Sequence, residues 1–264
     1  MTINALRDRW TSGQSTANVW LSLPGSVSAE VISRQGFDSF TIDMQHGLID
    51  YTDVLSILQA TAGVSSVPLV RIPWLQPSMA MKVLDAGAMG VICPMINSAE
   101  AAETFVQACR YPPDGFRSVG PTRVRLHHDG YLDAANAAIL TIAQIETVEA
   151  LENIEEIVAV EGLDAVYIGP ADLAISMGHE PRVDHDDLEV MAAISRVLDC
   201  AGRAGRKAGI HCASVSYARK MIIKGFDMVT LTSDIRILES SASALMCEFT
   251  ASGRTGIADT IVSS

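Results

Sequence analysis

Short apolar runs alternate with longer stretches of helical periodicity along most of the chain. The runs are rich in valine and isoleucine and cover residues 19–23, 39–44, 68–72, 90–95, 140–146, 165–170, 207–212 and 228–233. Near-continuous apolar character is typical of strands that are buried on both faces, as in a parallel sheet. Apolar side chains at spacings of three and four predict helices over residues 51–61, 77–85, 99–109, 148–158, 187–205 and 215–224.

Eight strand–helix units predict an α/β fold of the (β/α)₈ barrel type, because this number fits a closed barrel better than an open sheet. Glycines follow several of the helices, at Gly87, Gly162 and Gly225, where they supply a left-handed cap before the next strand. The length of 264 residues suits one barrel. We therefore expect a single domain over residues 1–264, with its core at about 15–240.

The charge and cysteine content of the chain limit the kinds of binding partner and compartment that we expect. Nineteen lysines and arginines against 31 aspartates and glutamates give a net charge of −12, and no basic patch interrupts it, which argues against nucleic-acid and anionic-membrane partners. No stretch is apolar enough to span a membrane. The five cysteines form no CxxC pair, which favours a reducing cytoplasm.

One connection is much longer than the others. About thirty residues separate the helix ending near Arg110 from the strand starting near Leu140. Loops of this length in a compact domain are usually functional or disordered. The basic residues in it are Arg117, Arg123, Arg125, His127 and His128. They favour a cover over an anionic ligand at the barrel mouth, and an ordinary excursion is the alternative.

Polar residues that close apolar strands are the candidates for a site, because the active site of a (β/α)₈ barrel lies at the C-terminal ends of its strands. Glu146 and Asp172 are the metal candidates, since two carboxylates at one mouth repel each other unless a cation or proton lies between them. Oxygen ligands favour Mg²⁺ or Mn²⁺. Alternatively, each carboxylate serves only the start of a helix.

Arg71 and His46 are the other charged candidates at the mouth. The guanidinium fork of Arg71 suits a carboxylate or a developing enolate, and a salt bridge to Glu146 is the alternative. His46 follows the second strand beside Asp43, a pair that predicts a general base tuned near neutrality. The alternative is a solvated loop histidine.

The segment Gly169-Pro170-Ala171 brings backbone close to a ligand. The amides of Ala171 and Asp172 point into the mouth if a helix begins there, whereas Pro170 has no N–H to offer. No glycine-rich phosphate loop is present, which disfavours nucleotide binding. The four lysines lie in helices or at the start of a strand, which argues against Schiff-base chemistry.

Six segments occur in an order that resembles the metal-dependent class II pyruvate aldolases, of the 4-hydroxy-2-oxoheptanedioate and 2-keto-3-deoxy acid aldolase type. The segments are GFDSFTIDMQHG (36–47), LVRIPW (69–74), CPMI (93–96), RYPPDGFR (110–117), QIET (144–147) and IGPADL (168–173). The resemblance covers residues 15–240. It implies a (β/α)₈ barrel with an N-terminal helix and a C-terminal helix that exchanges between the subunits of a hexamer or trimer.

The resemblance also implies the reaction and its parts. A 4-hydroxy-2-oxo acid is cleaved reversibly to pyruvate and an aldehyde through a metal-stabilised enolate. Glu146 and Asp172 would hold Mg²⁺, Mn²⁺ or Co²⁺, with Gln144 near the metal's water ligands. Arg71 would neutralise the enolate and orient the 2-oxo group. The amides of Ala171 and Asp172 would hold the carboxylate of pyruvate.

Two further roles follow from the same resemblance. His46, together with Asp43, would govern proton transfer at the aldol hydroxyl, and Asp85 would reach a neighbouring subunit's site and support that histidine. The chain departs from the family at Met44-Gln45-His46, where Gly-Glu-His is frequent, and at His211, where the family tends to be aliphatic. A third departure is the segment 120–128, whose arginines and histidines replace a small and apolar lid. These departures leave the second substrate open and favour an acidic or strongly polar acceptor.

Three alternatives remain from the sequence. An oxaloacetate-type decarboxylase would use the same metal and arginine. A CoA-ester lyase would need a region for the nucleotide, for which no basic segment or extra domain offers itself. A non-catalytic ligand-binding barrel would bind pyruvate without chemistry.

Overall fold

The computed structural model describes residues 3–251 and contains a closed barrel of eight parallel strands. The strands are β1 (Thr16–Leu21), β2 (Ser39–Asp43), β3 (Val67–Arg71), β4 (Gly90–Cys93), β5 (Leu140–Ile145), β6 (Ala165–Ile168), β7 (Lys207–His211) and β8 (Met228–Ser233). Each strand pairs with the next, and β8 pairs with β1. The predicted (β/α)₈ barrel is therefore confirmed, and no strand end differs from its predicted position by more than three residues. The outermost ends of the expected 1–264 domain lie outside the described residues.

Helices connect the strands and surround the barrel. They are α1 (Ala5–Thr11), α2 (Ser26–Ser33), α3 (Tyr51–Ala60), α4 (Pro77–Ala86), α5 (Ala99–Cys109), α6 (Tyr131–Ala138), α7 (Val148–Glu152), α8 (Ile154–Ala159), α9 (Pro170–Ser176), α10 (Leu188–Arg203), α11 (Val215–Lys224) and α12 (Asp234–Ala251). The helix predicted over 148–158 is divided at Asn153, whose Nδ2 donates to the Asn97 carbonyl at 2.8 Å. This hydrogen bond joins the break between α7 and α8 to the loop before α5.

The core has two parts. Every residue of β2, β4, β5 and β6 is buried, as the apolar runs predict for strands covered on both faces. A second cluster fills the barrel interior, where Trp20 and Tyr167 pack with Ile92 and Ile142. At the N-terminal end of the strands, α1 closes the barrel, and Asn4 just before it donates to backbone carbonyls of both Met89 and Ala138. Because the interior is packed and α1 covers the N-terminal end, we expect a site at the C-terminal end of the strands.

The long connection before β5 lies at the N-terminal end of the strands, so its expected position over the mouth of this barrel is wrong. Arg123 donates to the carbonyls of Ala86, at the end of α4, and Leu58, near the end of α3, at 2.6 and 2.8 Å. Arg117 is buried and pairs with Asp85 at 2.7 Å. The reason is topological: α5 returns the chain to the N-terminal end of the sheet, so residues between α5 and β5 remain there.

The C-terminal helix α12 begins against the barrel mouth and then becomes exposed. The Asp234 carboxylate accepts hydrogen bonds from the amides of Ser22 and Leu23, which ties the start of α12 to the end of β1. The exposed apolar side chains of α12 are Ile235, Leu238, Leu245, Met246 and Phe249. Within residues 3–251, no helix has the combination of length and apolar character that a membrane crossing requires.

Candidate active site

A cavity of about 180 Å³ opens at the C-terminal end of the barrel and brings together most of the predicted site residues. The predicted residues that line it are His46, Arg71, Gln144, Gly169, Pro170, Ala171 and Asp172. Trp20, Tyr167, Val183 and His211 complete its wall. The sequence therefore identified one side of the cavity and named His211 as a departure from the family, whereas the aromatic side formed by Trp20 and Tyr167 is seen only in the structure.

Arg71, the last residue of β3, is buried and fixed from two directions. Its Nε and Nη2 donate to the two carboxylate oxygens of Asp43, the last residue of β2, at 2.9 and 2.7 Å. The guanidinium carbon lies 4.1 Å from the centre of the Trp20 ring. A bidentate ion pair and an aromatic face together fix the plane of the fork. The salt bridge to Glu146, considered as an alternative, is not how Arg71 is paired.

Asp43 supports Arg71 and not the ring of His46. Besides the arginine, its Oδ1 accepts the backbone amides of Gln45 at 3.0 Å and His46 at 3.3 Å. The His46 side chain is exposed at the cavity wall. The expected pairing of the Asp43 carboxylate with the His46 imidazole is therefore wrong in this chain. The physical reason is that a buried guanidinium competes more strongly for a buried carboxylate than an exposed ring does.

Glu146 follows β5 and is buried at the base of the mouth. Its Oε1 accepts the Met95 amide at 2.8 Å, and its Oε2 accepts from the side-chain amide of Gln144. Met95 has a left-handed backbone conformation (φ 55°) that costs about 1 kcal/mol for a non-glycine residue. Burial raises the pKa of Glu146, and the negative charge of Asp172 acts in the same direction, against the two hydrogen bonds and Arg71.

Gly169 makes room for this arrangement. A Cβ at this position would lie 3.0 Å from Glu146 Oε2 and 3.2 Å from Gln144 Nε2, closer than side chains ordinarily allow. The glycine precedes α9, in which Pro170 is the first residue and Asp172 the third. Amides of a first helical turn have no acceptor within the helix. The sequence-based expectation that backbone approaches the cavity here agrees with this geometry.

The donor set at the mouth fits a hard divalent cation. Glu146 and Asp172 lie close enough for the charge of one to raise the pKa of the other, and both offer oxygen only. Among the described residues no group of three or more histidine, cysteine or acidic side chains is arranged so that the protein alone could hold a metal ion. Two carboxylates that leave the remaining positions to water and substrate oxygens are typical of Mg²⁺ and related ions.

Asp85 is the one predicted site residue that lies far from this cavity. It sits in the last turn of α4, at the N-terminal end of the barrel, where Arg117 binds its carboxylate. Burial raises the pKa of Asp85, and the hydrogen bond and charge of Arg117 oppose the rise. Within its own chain Asp85 therefore belongs to a different cluster from Glu146 and Arg71.

Trp20, Met95 and Tyr167 contribute to the site without having been singled out from the sequence. Trp20 has a signal in the sequence, because an indole near the C-terminal end of an otherwise aliphatic strand faces a mouth or an interface. Met95 acts through its backbone amide, and Tyr167 through a hydroxyl within the barrel. Neither contact depends on a residue type that a motif search would select.

The closed barrel and its charged mouth define the class as a (β/α)₈-barrel protein with an enzyme-like site. Residues 17–240 match the family described as HpcH/HpaI aldolase/citrate lyase, and the chain belongs to that family. The prediction of a carbon–carbon lyase of the aldolase type is thereby confirmed.

Named relatives agree with this placement. The chain is 42% identical over 247 residues to a hydroxypyruvate/pyruvate aldolase of Rhizorhabdus wittichii, covering 93% of this chain and 98% of the relative. It is 38% identical over 256 residues to a 4-hydroxy-2-oxo-heptane-1,7-dioate aldolase of Klebsiella pneumoniae, covering 96% of each. A solved family member from Burkholderia cenocepacia is 32% identical, with a TM-score of 0.87 over 94% of this chain and 99% of that one.

Proposed function

We propose that this protein is a divalent-metal-dependent aldolase that reversibly cleaves a 4-hydroxy-2-oxo acid to pyruvate, or a pyruvate analogue, and an aldehyde. The observation that carries the proposal is the position of Arg71. Asp43 and Trp20 hold its fork at the mouth, and its Nη1 lies 3.5 Å from the Gln144 amide oxygen, next to Glu146. A fixed positive charge in a small cavity suits an oxygen that becomes negative during the reaction.

Glu146 and Asp172 would hold the metal, for which Mg²⁺, Mn²⁺ and Co²⁺ are the candidates. When bound, such an ion supplies positive charge beside the 2-oxo group of the substrate. Gln144 donates to Glu146 and so fixes the orientation of its carboxylate. Support for this assignment comes from the oxygen-only donor set and from the charge coupling between the two carboxylates.

The remaining residues bind and orient the oxo acid. The amides of Ala171 and Asp172, in the first turn of α9, would receive its carboxylate, because they point away from the helix and lack internal acceptors. Gly169 and Pro170 bring this turn close to Glu146 without a side chain in between. Arg71 then faces the 2-oxo group and stabilises the negative charge that develops on it.

His46 is the group that we assign to the proton of the aldol hydroxyl. It lies at the exposed side of the cavity, where an aldehyde enters and leaves. In the cleavage direction the imidazole would take the proton from the 4-hydroxyl as the carbon–carbon bond breaks. Asp43 affects this step only through Arg71 and through the His46 backbone amide.

The protein would act as a homo-oligomer, a hexamer or a trimer, in the cytoplasm. The exposed apolar side chains of α12 support association between copies, since they would be buried against a neighbour. If Asp85 has the role in catalysis that the resemblance implies, it would serve a neighbouring copy's site, because it lies at the opposite end of its own barrel. The cysteines of the described residues are all free thiols, which suits a reducing compartment.

The test follows the methyl protons of pyruvate by NMR in D₂O, using metal-stripped protein and the same protein with Mg²⁺ or Mn²⁺ restored. We expect exchange that depends on the metal and is abolished in Glu146→Gln. Cleavage of a 4-hydroxy-2-oxo acid, followed as pyruvate release, should show the same dependence. Oxaloacetate, assayed in parallel, distinguishes an aldolase from a decarboxylase.

Two results would contradict the proposal. Oxaloacetate decarboxylation without any aldol cleavage or exchange would assign the site to decarboxylation. If proton exchange, aldol cleavage and oxaloacetate decarboxylation are all absent, and pyruvate binds in a way that depends on Arg71, the protein is a ligand-binding barrel.

A further inference from the structure

A chain of hydrogen bonds crosses the barrel interior below the cavity and ends at His211. Thr230 Oγ1 lies 3.2 Å from Asn18 Oδ1 and accepts the indole N–H of Trp20 at 2.9 Å. The Tyr167 hydroxyl lies 2.6 Å from Thr230 Oγ1 and 3.1 Å from Nδ1 of His211. All partners except His211 are buried, and His211 forms part of the cavity wall together with Trp20 and Tyr167.

The hydrogen bond that Thr230 donates to Asn18 sets one direction of donation along this chain, and that direction determines the form of the histidine. Asn18 Oδ1 carries no proton, so Thr230 donates to it; the Asn18 amide nitrogen is turned the other way, towards Ser39 Oγ at 2.8 Å. Because the hydroxyl proton of Thr230 is used in this bond, the Thr230 oxygen accepts a hydrogen bond from the Tyr167 hydroxyl. Tyr167 therefore accepts from His211, and the proton of His211 is on Nδ1. Its Nε2 carries a lone pair.

The imidazole is also uncharged. Burial lowers the pKa of His211 to about 4, and the positive charges of Arg71 and Arg236 act in the same direction, against Asp43 and Asp184. Its ring meets the Trp20 ring edge-on, with 5.2 Å between centroids, which fixes the ring plane. At neutral pH the cavity wall therefore presents, at Nε2, a hydrogen-bond acceptor that cannot donate.

An acceptor of this kind needs a donor from the ligand. The carboxylate and the oxo group of pyruvate offer only acceptors, and Arg71 with the α9 amides already supplies donors for them. We propose that His211 Nε2 accepts a hydrogen bond from a hydroxyl on the carbon next to a substrate carbonyl, and so selects hydroxylated substrates over their deoxy analogues. This assignment rests on the proposed aldolase function, whose second substrate it specifies.

The hydroxyl could belong to either half of the reaction, and two comparisons separate these sources. With the aldehyde fixed, hydroxypyruvate is compared with pyruvate; with pyruvate fixed, glycolaldehyde is compared with acetaldehyde. The wild-type, metal-loaded enzyme should prefer the hydroxylated member of one pair in kcat/KM. His211→Leu should reduce that preference about tenfold, as expected for one lost hydrogen bond. His211→Gln, which offers an amide oxygen, should recover part of it.

A second readout requires no turnover. Nitrogen-15 NMR of the imidazole in metal-free protein at pH 7 should show Nδ1 protonated and Nε2 unprotonated, and Tyr167→Phe should weaken this tautomer preference. Adding the preferred hydroxylated compound should shift the Nε2 signal, whereas its deoxy analogue should not.

Each contrary outcome is distinct. An Nε2–H tautomer in the wild type would overturn the assignment. An equal loss with all four substrates in His211→Leu would place the histidine at the aldol hydroxyl and overturn it as a specificity residue. If no pair is turned over by the wild type, the proposed function fails, and the Nε2 shift alone then decides whether hydroxyl recognition stands.

Discussion

Arg71 depends on Asp43 for its orientation more than on any other residue, because Asp43 binds two of its nitrogens in a buried ion pair. We expect Asp43→Asn to lower kcat/KM for aldol cleavage by about 100-fold, the size of effect seen when one fixed electrostatic group is lost. The variant should also unfold about 3 kcal/mol more easily, because a buried guanidinium is left without its counter-charge. Steady-state kinetics and urea unfolding measure the two effects.

The control for Asp43→Asn is Glu155→Gln, which removes an exposed ion pair with Arg203. Exposed pairs contribute little, so neither activity nor stability should change measurably. Wild-type activity in Asp43→Asn would mean that Trp20 alone suffices to hold Arg71.

His211 should make the stability of the protein depend on pH. Its pKa is lowered from 6.5 to about 4 on folding, so between these values the unfolded chain binds more protons than the native one. Its contribution to stability is therefore complete above pH 6.5 and is lost as the pH falls towards 4. We expect His211→Gln to lose less stability than the wild type over this interval, measured by urea unfolding at several pH values. If the wild type and His211→Gln lose the same stability over this interval, the His211 ring is solvated in the native protein.

The sequence identified residues whose chemistry is local and missed those that act through distant partners. Arg71, Glu146 and Asp172 are charged groups at strand ends, and that pattern alone predicted them at one mouth: Arg71 and Asp172 line the cavity, and Glu146 lies buried beside it, bonded to Gln144. The His46–Asp43 pairing failed because proximity along the chain does not decide between competing partners. The role of Tyr167 depends on Thr230, 63 residues away, which no local pattern shows.

At the scale of elements, the turn from β6 into α9 is held close to Glu146 by the absence of a side chain at Gly169. We expect Gly169→Ala to push the Glu146 carboxylate or Gln144 aside, since the new Cβ would lie 3.0 Å from Glu146 Oε2. Metal affinity and kcat/KM should each fall by about tenfold or more, the range for disturbing a group that orients a metal ligand. Isothermal titration with Mn²⁺ and kinetics measure these losses.

Gly202→Ala is the matched control for that substitution. Gly202 lies in α10 with open space around the position of a Cβ, so alanine should stabilise the helix by about 0.5–1 kcal/mol and leave metal binding unchanged. If Gly169→Ala binds Mn²⁺ as well as Gly202→Ala does, the glycine is not needed for the carboxylate site.

The alternation of elements is predictable from the sequence, and the chain direction within it also determines at which end of the barrel each connection lies. Strands that are buried on both faces form apolar runs that the sequence shows clearly. Helix α2 is not among the predicted helices, because it is short and lacks a side-chain N-cap. The arginines and histidines of the long connection favour a position at the mouth. Its place between α5 and β5 already fixes it at the opposite end of the barrel, because chain direction in a (β/α)₈ unit outweighs composition.

At the scale of the whole molecule, the two ends of the barrel carry different charged clusters. The mouth holds Arg71, Glu146 and Asp172, and the N-terminal end holds Asp85 with Arg117 and Tyr131. One role for Asp85 is purely structural, as the counter-charge of a fully buried arginine. The other is to complete the site of a neighbouring copy. These roles predict different behaviour in mixed oligomers.

Complementation between two inactive variants separates the roles of Asp85. Asp85→Asn and Glu146→Gln are each expected to be inactive in aldol cleavage. If each site uses Glu146 of one subunit and Asp85 of another, equal mixing after dissociation and reassembly leaves roughly one quarter of the sites with both groups intact, given random association. Pyruvate release should then recover to about that fraction of wild-type activity, and light scattering should confirm the reassembled oligomer. A mixture that stays inactive, with Asp85→Asn strongly destabilised on its own, would instead assign Asp85 to holding Arg117 within its own chain.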